Sequence, residues 1–267
     1  RVEPASSRLD QLKTICDLPG PGGDERLVQE YLYQRWKPRV EELNYDGIGN
    51  LTAHLGGKGR RLLIAAHADE ICFVVKSIST DGFLWIASGE RDIEQRPSLR
   101  GTTFLPWGHP ALVVTETGLV EGYFATPTGH ILTPEQRDKT VWEWNDIFVE
   151  IGAADQAEAA EMGVQIGDRV IWNPKTRQIG SLVVGKAMDD RAGLVLIDRL
   201  VEVLDRDRLA YDLTFVSTVQ EEIGLVGAEA VANQANYEIG ISLDTGPVGD
   251  VPGIDPRVSD SNLGNGP

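Results

Sequence analysis

The sequence predicts an α/β fold: a mostly parallel sheet flanked by helices, interrupted by a small inserted domain of β-barrel character. Two observations predict it. Before residue 76 and after residue 185, apolar strand-like runs alternate with amphipathic helical segments, whereas from Lys76 to Ser181 the chain turns to short strands punctuated by Gly, Pro and Thr. Its 267 residues, 41% hydrophobic, suffice for one large core and a smaller second module. The expected division is 1–75 with 182–267 as one domain and 76–181 as the insert.

Each element has its own signal. Ser7, with Asp10 three residues on, marks a helix start, and Leu9, Leu12, Ile15 and Cys16 follow at helical spacing. A second helix begins at Asp24, since Leu27, Val28, Tyr31, Leu32 and Trp36 repeat on one face. Val40 to Asn44 and Leu51 to Leu55 read as short strands separated by Asp46-Gly47, and a glycine-rich turn leads into Leu62 to Ala66. That run is apolar on both faces, as a central strand requires. In the insert, strands are expected at Phe83 to Ala87, Ala111 to Thr115, Leu119 to Phe124 and Arg169 to Trp172. One helix is expected at Ala154 to Met162, and a mobile loop at Ala125 to Thr140. After Gly185 the pattern returns to helix Ala192 to Leu204, strand Leu213 to Val219, helix Leu225 to Ala235 and strand Ile239 to Leu243.

Composition narrows the function. With 25 Lys and Arg against 41 Asp and Glu, the net charge of −16 repels a nucleic-acid backbone or an anionic membrane face. Cys16 and Cys72 form no CxxC pair, so they read as small core residues in a reducing compartment. No stretch approaches the ~18 consecutive apolar residues of a membrane span, and the first thirty positions lack a signal-peptide pattern. These features predict a cytoplasmic protein. The sequence opens on Arg1 rather than Met and stops at Asn265-Gly266-Pro267 without a closing element, so one or both ends are expected to be incomplete.

The chemistry lies where apolar strands end. His67 and Asp69 follow Leu62 to Ala66, Glu221 and Glu222 follow Leu213 to Val219, and Asp244 follows Ile239 to Leu243. Sites in open α/β sheets gather outside the carboxyl ends of strands, so these segments can converge on one crevice. Asp189 and Asp190 stand before a helix, whose N-terminus stabilises carboxylates. Alone, a Glu-Glu pair reads as a solvated surface, and Asp189-Asp190 as helix capping. Together, one imidazole and several carboxylates require a cation to offset their mutual repulsion. Nitrogen and oxygen donors without sulfur suit zinc, cobalt or manganese. Asp69, two residues after His67 on an extended segment, can hold the second ring nitrogen. Of Glu221 and Glu222, one can ligate while the other serves as general base.

These segments resemble the M42 family of metallo-aminopeptidases, which contains the tetrahedral TET aminopeptidases and the glutamyl and deblocking aminopeptidases. The resemblance rests on His67-Ala68-Asp69-Glu70-Ile71, on Gly185-Lys186-Ala187-Met188-Asp189-Asp190-Arg191-Ala192-Gly193, on Thr218-Val219-Gln220-Glu221-Glu222-Ile223-Gly224-Leu225, and on Ser242-Leu243-Asp244 with Asp250-Val251-Pro252-Gly253. It runs from the first helix to Pro267 and implies a zinc-peptidase-like catalytic domain around the insert. It further implies that Asp189 bridges two divalent ions, that His67 and Asp244 complete one and that Glu222 binds the other. Glu221 would be the general base acting on a metal-bridging water, with Asp69 supporting His67. The implied activity is removal of amino-terminal residues from peptides. The insert would mediate self-association into a homo-oligomer, for which a dodecamer is one form; Trp107, Trp142 and Trp144 read either as exposed aromatics that support it or, equally, as packing inside the insert.

The sequence departs from the family in places. Cys72 replaces a frequent Gly, and Thr245 to Gly249 replaces a more apolar stretch. The family takes a second metal-binding His from beyond a Gly-x-Gly-Pro motif, at which this sequence stops, and His54, His109 and His130 are no natural substitutes. The second ion site is therefore expected to be incomplete and weakly held. Alternatives are another metal hydrolase, a carboxypeptidase or N-acyl amino acid deacylase, and a catalytically impaired assembly subunit. A glycosidase fits poorly, because its two carboxyls must stand apart across a sugar.

Overall fold

The computed structural model describes residues 5–88, 107–138, 144–255, 257 and 261–265. Two helices, α1 (Ala5–Asp17) and α2 (Arg26–Trp36), precede strands β1 (Glu42–Tyr45), β2 (Leu51–Gly56) and β3 (Arg61–His67). A second group follows: β4 (Phe73–Ile78), β5 (Leu84–Ser88), β6 (Pro110–Val114), β7 (Leu119–Ala125), α3 (Pro134–Arg137), β8 (Phe148–Glu150), α4 (Gln156–Glu161) and β9 (Arg169–Trp172). A hairpin, β10 (Arg177–Ile179) and β11 (Leu182–Val184), leads to α5 (Met188–Val203), β12 (Asp212–Thr218), α6 (Val226–Gln234) and β13 (Ile239–Ser242).

The first sheet has the order β1-β2-β12-β3-β13 and is mixed, which corrects the expectation of a mostly parallel one. β12 runs parallel to β3, and β3 to β13, but β1 with β2 and β2 with β12 are antiparallel. The cause is local. Asp46 Oδ1 accepts from the N–H groups of Ile48, Gly49 and Asn50 and reverses the chain within a few residues, so β1 and β2 must oppose each other. Helices α1, α2 and α5 press Ile15, Val28, Leu32, Trp36, Leu194 and Ile197 against this sheet. The strand buried almost throughout is β12; Leu62 to Ile64, expected to be covered on both faces, are half-buried. Beyond β3 lies only β13 among the described residues, itself largely exposed, so the outer part of the sheet is less covered.

The middle of the chain closes into a six-stranded barrel, β4-β5-β8-β7-β6-β9, with antiparallel pairing throughout. Phe73 stands in its wall and meets Phe124, Trp144 and Trp172 edge to face at 5.2–5.9 Å. Of the tryptophans that the sequence left between exposed and packed inside the insert, Trp107 and Trp144 pack against this core, and Trp142 lies outside the described residues. The segment Ala125 to Thr140, expected as a mobile loop, contains the capped turn α3, in which Thr133 and Gln136 bond reciprocally; residues 139–140 lie outside the described residues. Strands β4, β8, β10 and β11 were not anticipated. Both cysteines are buried, unpaired thiols, and burial pushes each up to about 12. Among the described residues no helix is long and apolar enough to cross a membrane.

Two helix starts differ from expectation. Asp24 does not cap α2; its carboxylate binds Arg26, and Glu25 takes the cap position with its own side chain turned elsewhere. Helix α5 begins at Met188, not Ala192, and Asp189 and Asp190 depart from helical geometry within its first turn.

Candidate active site

Because β12 and β3 are parallel with Thr218 opposite His67, their following loops leave the sheet at the same end. β13, also parallel, delivers Asp244 to that end. The first turn of α5 adds Asp189 and Asp190. Donor atoms of His67, Asp189 and Glu222 lie within 4.8 Å of one another, and so do those of His67, Asp190 and Asp244. Three of the four residues expected as ligands meet in the first group, while Asp244 meets His67 in a second group whose third member is Asp190 rather than Asp189.

The imidazole is the hub. His67 is buried, with Nε2 3.0 Å from Asp189 Oδ1 and 3.9 Å from Glu221 Oε2. On the other side Nδ1 lies 3.3 Å from Asp69 Oδ1, within ion-pair range but off the line of a good hydrogen bond. Asp69, fully buried, also accepts the backbone N–H of Glu221 at 2.9 Å and of Glu222 at 3.0 Å. It therefore lies beside His67 and grips the Glu221-Glu222 loop.

The Asp189-Asp190 pair divides its work. Asp190 is fully buried and accepts from the N–H of Gly193 at 3.0 Å and of His67 at 3.3 Å, so it ties the start of α5 to the end of β3. Gly193 suits this contact, since a Cβ there would come within 2.4 Å of the Asp190 carboxylate. The Asp189 carboxylate, by contrast, is half exposed and faces His67. The capping role read from sequence belongs to Asp190, and the free carboxylate to Asp189.

The electrostatics favour a cation at the site. Burial pushes Asp190 and Glu222 up to about 7 and also raises Glu221 and Asp244. Burial opposes charge on His67, but its contacts with Asp189 and Asp69 and the nearby Glu221 hold it at about 11. The hydrogen bond with His67 keeps Asp189 below the usual carboxylate range. Carboxylates this crowded are stable as anions only beside a compensating cation. A divalent ion fits the donor set of one imidazole nitrogen and several carboxylate oxygens.

Behind the site lies a buried ionic cluster to which sequence reasoning gave no role. Glu70 Oε1 accepts from Lys186 Nζ at 2.7 Å and from the Gly20 N–H at 3.1 Å, with Arg191 Nη2 3.7 Å away. Arg191 donates to the carbonyls of Ile15 and Leu18. The three residues flank Asp69, Asp189 and Asp190 in sequence, which was the available signal. In front, a cleft of about 430 Å³ is lined by Asp189, Glu222, Ile71 and Met188 together with Trp172 of β9 and its neighbours His109 and Pro174. His109, set aside from sequence, therefore lines the cleft. His54 does not: its Nε2 lies 2.6 Å from Asp212 Oδ1, at the opposite end of the sheet.

Comparison with known proteins agrees with this geometry. A profile of the M42 glutamyl aminopeptidase family matches residues 49–90 and 103–267. The chain is 32% identical to the glutamyl aminopeptidase of Lactococcus lactis subsp. cremoris, the match covering 92% of this chain and 69% of that protein. Its structure resembles the TET aminopeptidase of the marine-sediment Thaumarchaeota archaeon SCGC AB-539-E09, with a TM-score of 0.86, 31% identity, and coverage of 97% of this chain and 71% of that one. It also resembles the TET1 peptidase of Pyrococcus horikoshii, with a TM-score of 0.77, 29% identity, and coverage of 91% and 72%.

Proposed function

The chain belongs to the M42 family of metal-dependent aminopeptidases, and from that premise we propose that it removes amino-terminal residues from peptides with Glu221 as general base. The observation that carries the reading is the convergence of His67, Asp189 and Glu222 at the carboxyl end of the sheet, with the Glu221 carboxylate 3.9 Å from His67. His67, Asp189, Glu222 and Asp244 would hold two divalent ions, zinc, cobalt or manganese, with Asp189 shared. When bound, such ions polarise a scissile carbonyl, capture a free α-amine and make water a better acid. Glu221 accepts the proton of the attacking water and returns it to the departing amine; burial, by raising its pKa, makes it a stronger base than an exposed carboxylate. Asp69 orients His67 and keeps Glu221 and Glu222 in place.

The cleft supplies room for the substrate. At about 430 Å³ it falls within the range of small-molecule sites, roughly 300–1,000 Å³. We assign the barrel as the inserted domain, expected from sequence at 76–181 but with its first strand starting at Phe73, and give it a second task, self-association into a homo-oligomer. The support is the relative from Pyrococcus horikoshii, which can assemble into a tetrahedron or a large octahedral shell. Two buried, unpaired thiols suit a reducing compartment such as the cytoplasm. Neither a carboxypeptidase nor an N-acyl amino acid deacylase, nor an inactive assembly subunit, gains support from these relatives.

The test compares free-amine with amine-blocked aminoacyl substrates, using the full chain loaded in turn with zinc, cobalt and manganese. Hydrolysis confined to the free-amine series is expected. Preference for blocked amines, or no release from any substrate, would sink the reading.

A further inference from the structure

We propose that Glu25 and Asn50 are positioning residues that set the direction of Glu221 and Glu222. The observation is a run of four consecutive backbone N–H groups, each bonded to a side-chain oxygen from elsewhere in the chain. Val219 N–H donates to Asn50 Oδ1 at 2.9 Å, Gln220 N–H to Glu25 Oε1 at 3.0 Å, and the next two to the oxygens of Asp69 at 2.9 and 3.0 Å. Extended strands send alternate N–H groups to opposite sides, so four served in succession require a special backbone. Gln220 provides it, with φ at +57°, a left-handed conformation that costs a non-glycine residue energy and persists only when its surroundings hold it.

The holders are themselves fixed. Glu25 is buried and its Oε1 also accepts the Gly23 N–H at 2.9 Å, so the carboxylate bridges the start of α2 to the loop after β12. Asn50 is fully buried and spans from Asp46 to the carbonyl of Gly227. From α2, Gln29 donates to the carbonyl of Ser217 at 3.0 Å, holding the strand just before the run. None of these side chains is among the groups that converge on His67. They act through the backbone, and the rotation they impose at Gln220 sends Glu221 and Glu222 toward His67. Neither residue stands out in sequence: Glu25 resembles any acid at a helix start, and Asn50 any polar residue after a turn.

The inference rests on Glu221 as base, and its test separates the two ideas. Glu25→Ala, Glu25→Gln and Asn50→Asp are compared with wild type in the full, metal-loaded chain, by steady-state kinetics, bound-metal content and hydrogen exchange of residues 219–222. A misplaced catalytic group can cost on the order of 10²-fold, so Glu25→Ala should lower kcat by about 10- to 100-fold while KM stays within about threefold. Metal content should fall only in part, because Glu222 is released while His67, Asp189 and Asp244 stay in place, and the amides of Gln220 to Glu222 should exchange about tenfold faster. Glu25→Gln keeps the acceptor oxygen and should restore most of the kcat, whereas Asn50→Asp loses the amide donations to Asp46 and the Gly227 carbonyl and should be impaired like Glu25→Ala. If Glu25→Ala does not fold, Glu25→Asp, which withdraws the oxygen by one methylene, carries the same expectation. Lower thermal stability with unchanged kcat and exchange would overturn the proposal, as would a Glu25→Gln variant as impaired as Glu25→Ala. A wild-type chain inactive on every substrate would count against the functional reading alone, and exchange at 219–222 would still decide the grip.

Discussion

The carboxyl end of the mixed sheet and the inserted barrel bury opposite kinds of side chain. Around the first lie Glu25, Asn50, His67, Asp69, Glu70, Lys186, Asp190 and Arg191, all buried. The barrel interior is Phe73, Val75, Leu84, Ile86, Val113, Phe124, Ile147, Val149 and Val170. Buried charge is costly unless each group is paired, so its concentration at one end of one sheet marks where stability has been traded for chemistry. The barrel is held by ordinary apolar packing and lends His109, Trp172 and Pro174 to the cleft.

Substitutions on the two sides should therefore fail differently. The largest effect belongs to Glu221→Gln, which should lower kcat by about 10³-fold with little change in unfolding free energy or bound metal; a variant retaining near-normal turnover would remove Glu221 as base. Next, Glu70→Ala leaves Lys186 and Arg191 buried without their carboxylate, and urea denaturation should show a loss of about 3–4 kcal/mol. A loss well below 1 kcal/mol would mean that this cluster is not what braces the polar end. On the barrel side, Phe73→Ala empties the aromatic cluster and should cost about 3 kcal/mol in the same measurement, while metal affinity stays unchanged. If metal affinity falls with it, the two regions are coupled and the contrast fails. The smallest effect is expected of His109→Ala: about a threefold rise in KM at constant kcat, as befits one lost contact in the cleft.

How much of this was legible in sequence followed the same division. Apolar runs ending in His67, Glu221-Glu222 and Asp244 located the site, because a strand that stops in a titratable residue is unusual for a core. The direction of β2 was not legible, since hydrophobic periodicity carries no information on whether neighbouring strands run parallel. Strands β8, β10 and β11 span three residues each, too short for a period of two to register. The exposure of β10 and β11 also removes the apolar alternation that marks a strand. Glu25 and Lys186 were missed for a different reason: a buried, partnered charge is the same letter as a solvated one, and only the fold shows which it is.

The central claim is that the polar end holds divalent ions on His67, Asp189, Glu222 and Asp244. Calorimetric titration of zinc or manganese into the metal-free full chain tests it most directly, with Asp189→Asn and Phe73→Ala measured alongside. The account predicts saturable binding that Asp189→Asn weakens severely and Phe73→Ala leaves intact. Binding of equal strength in wild type and Asp189→Asn would contradict it.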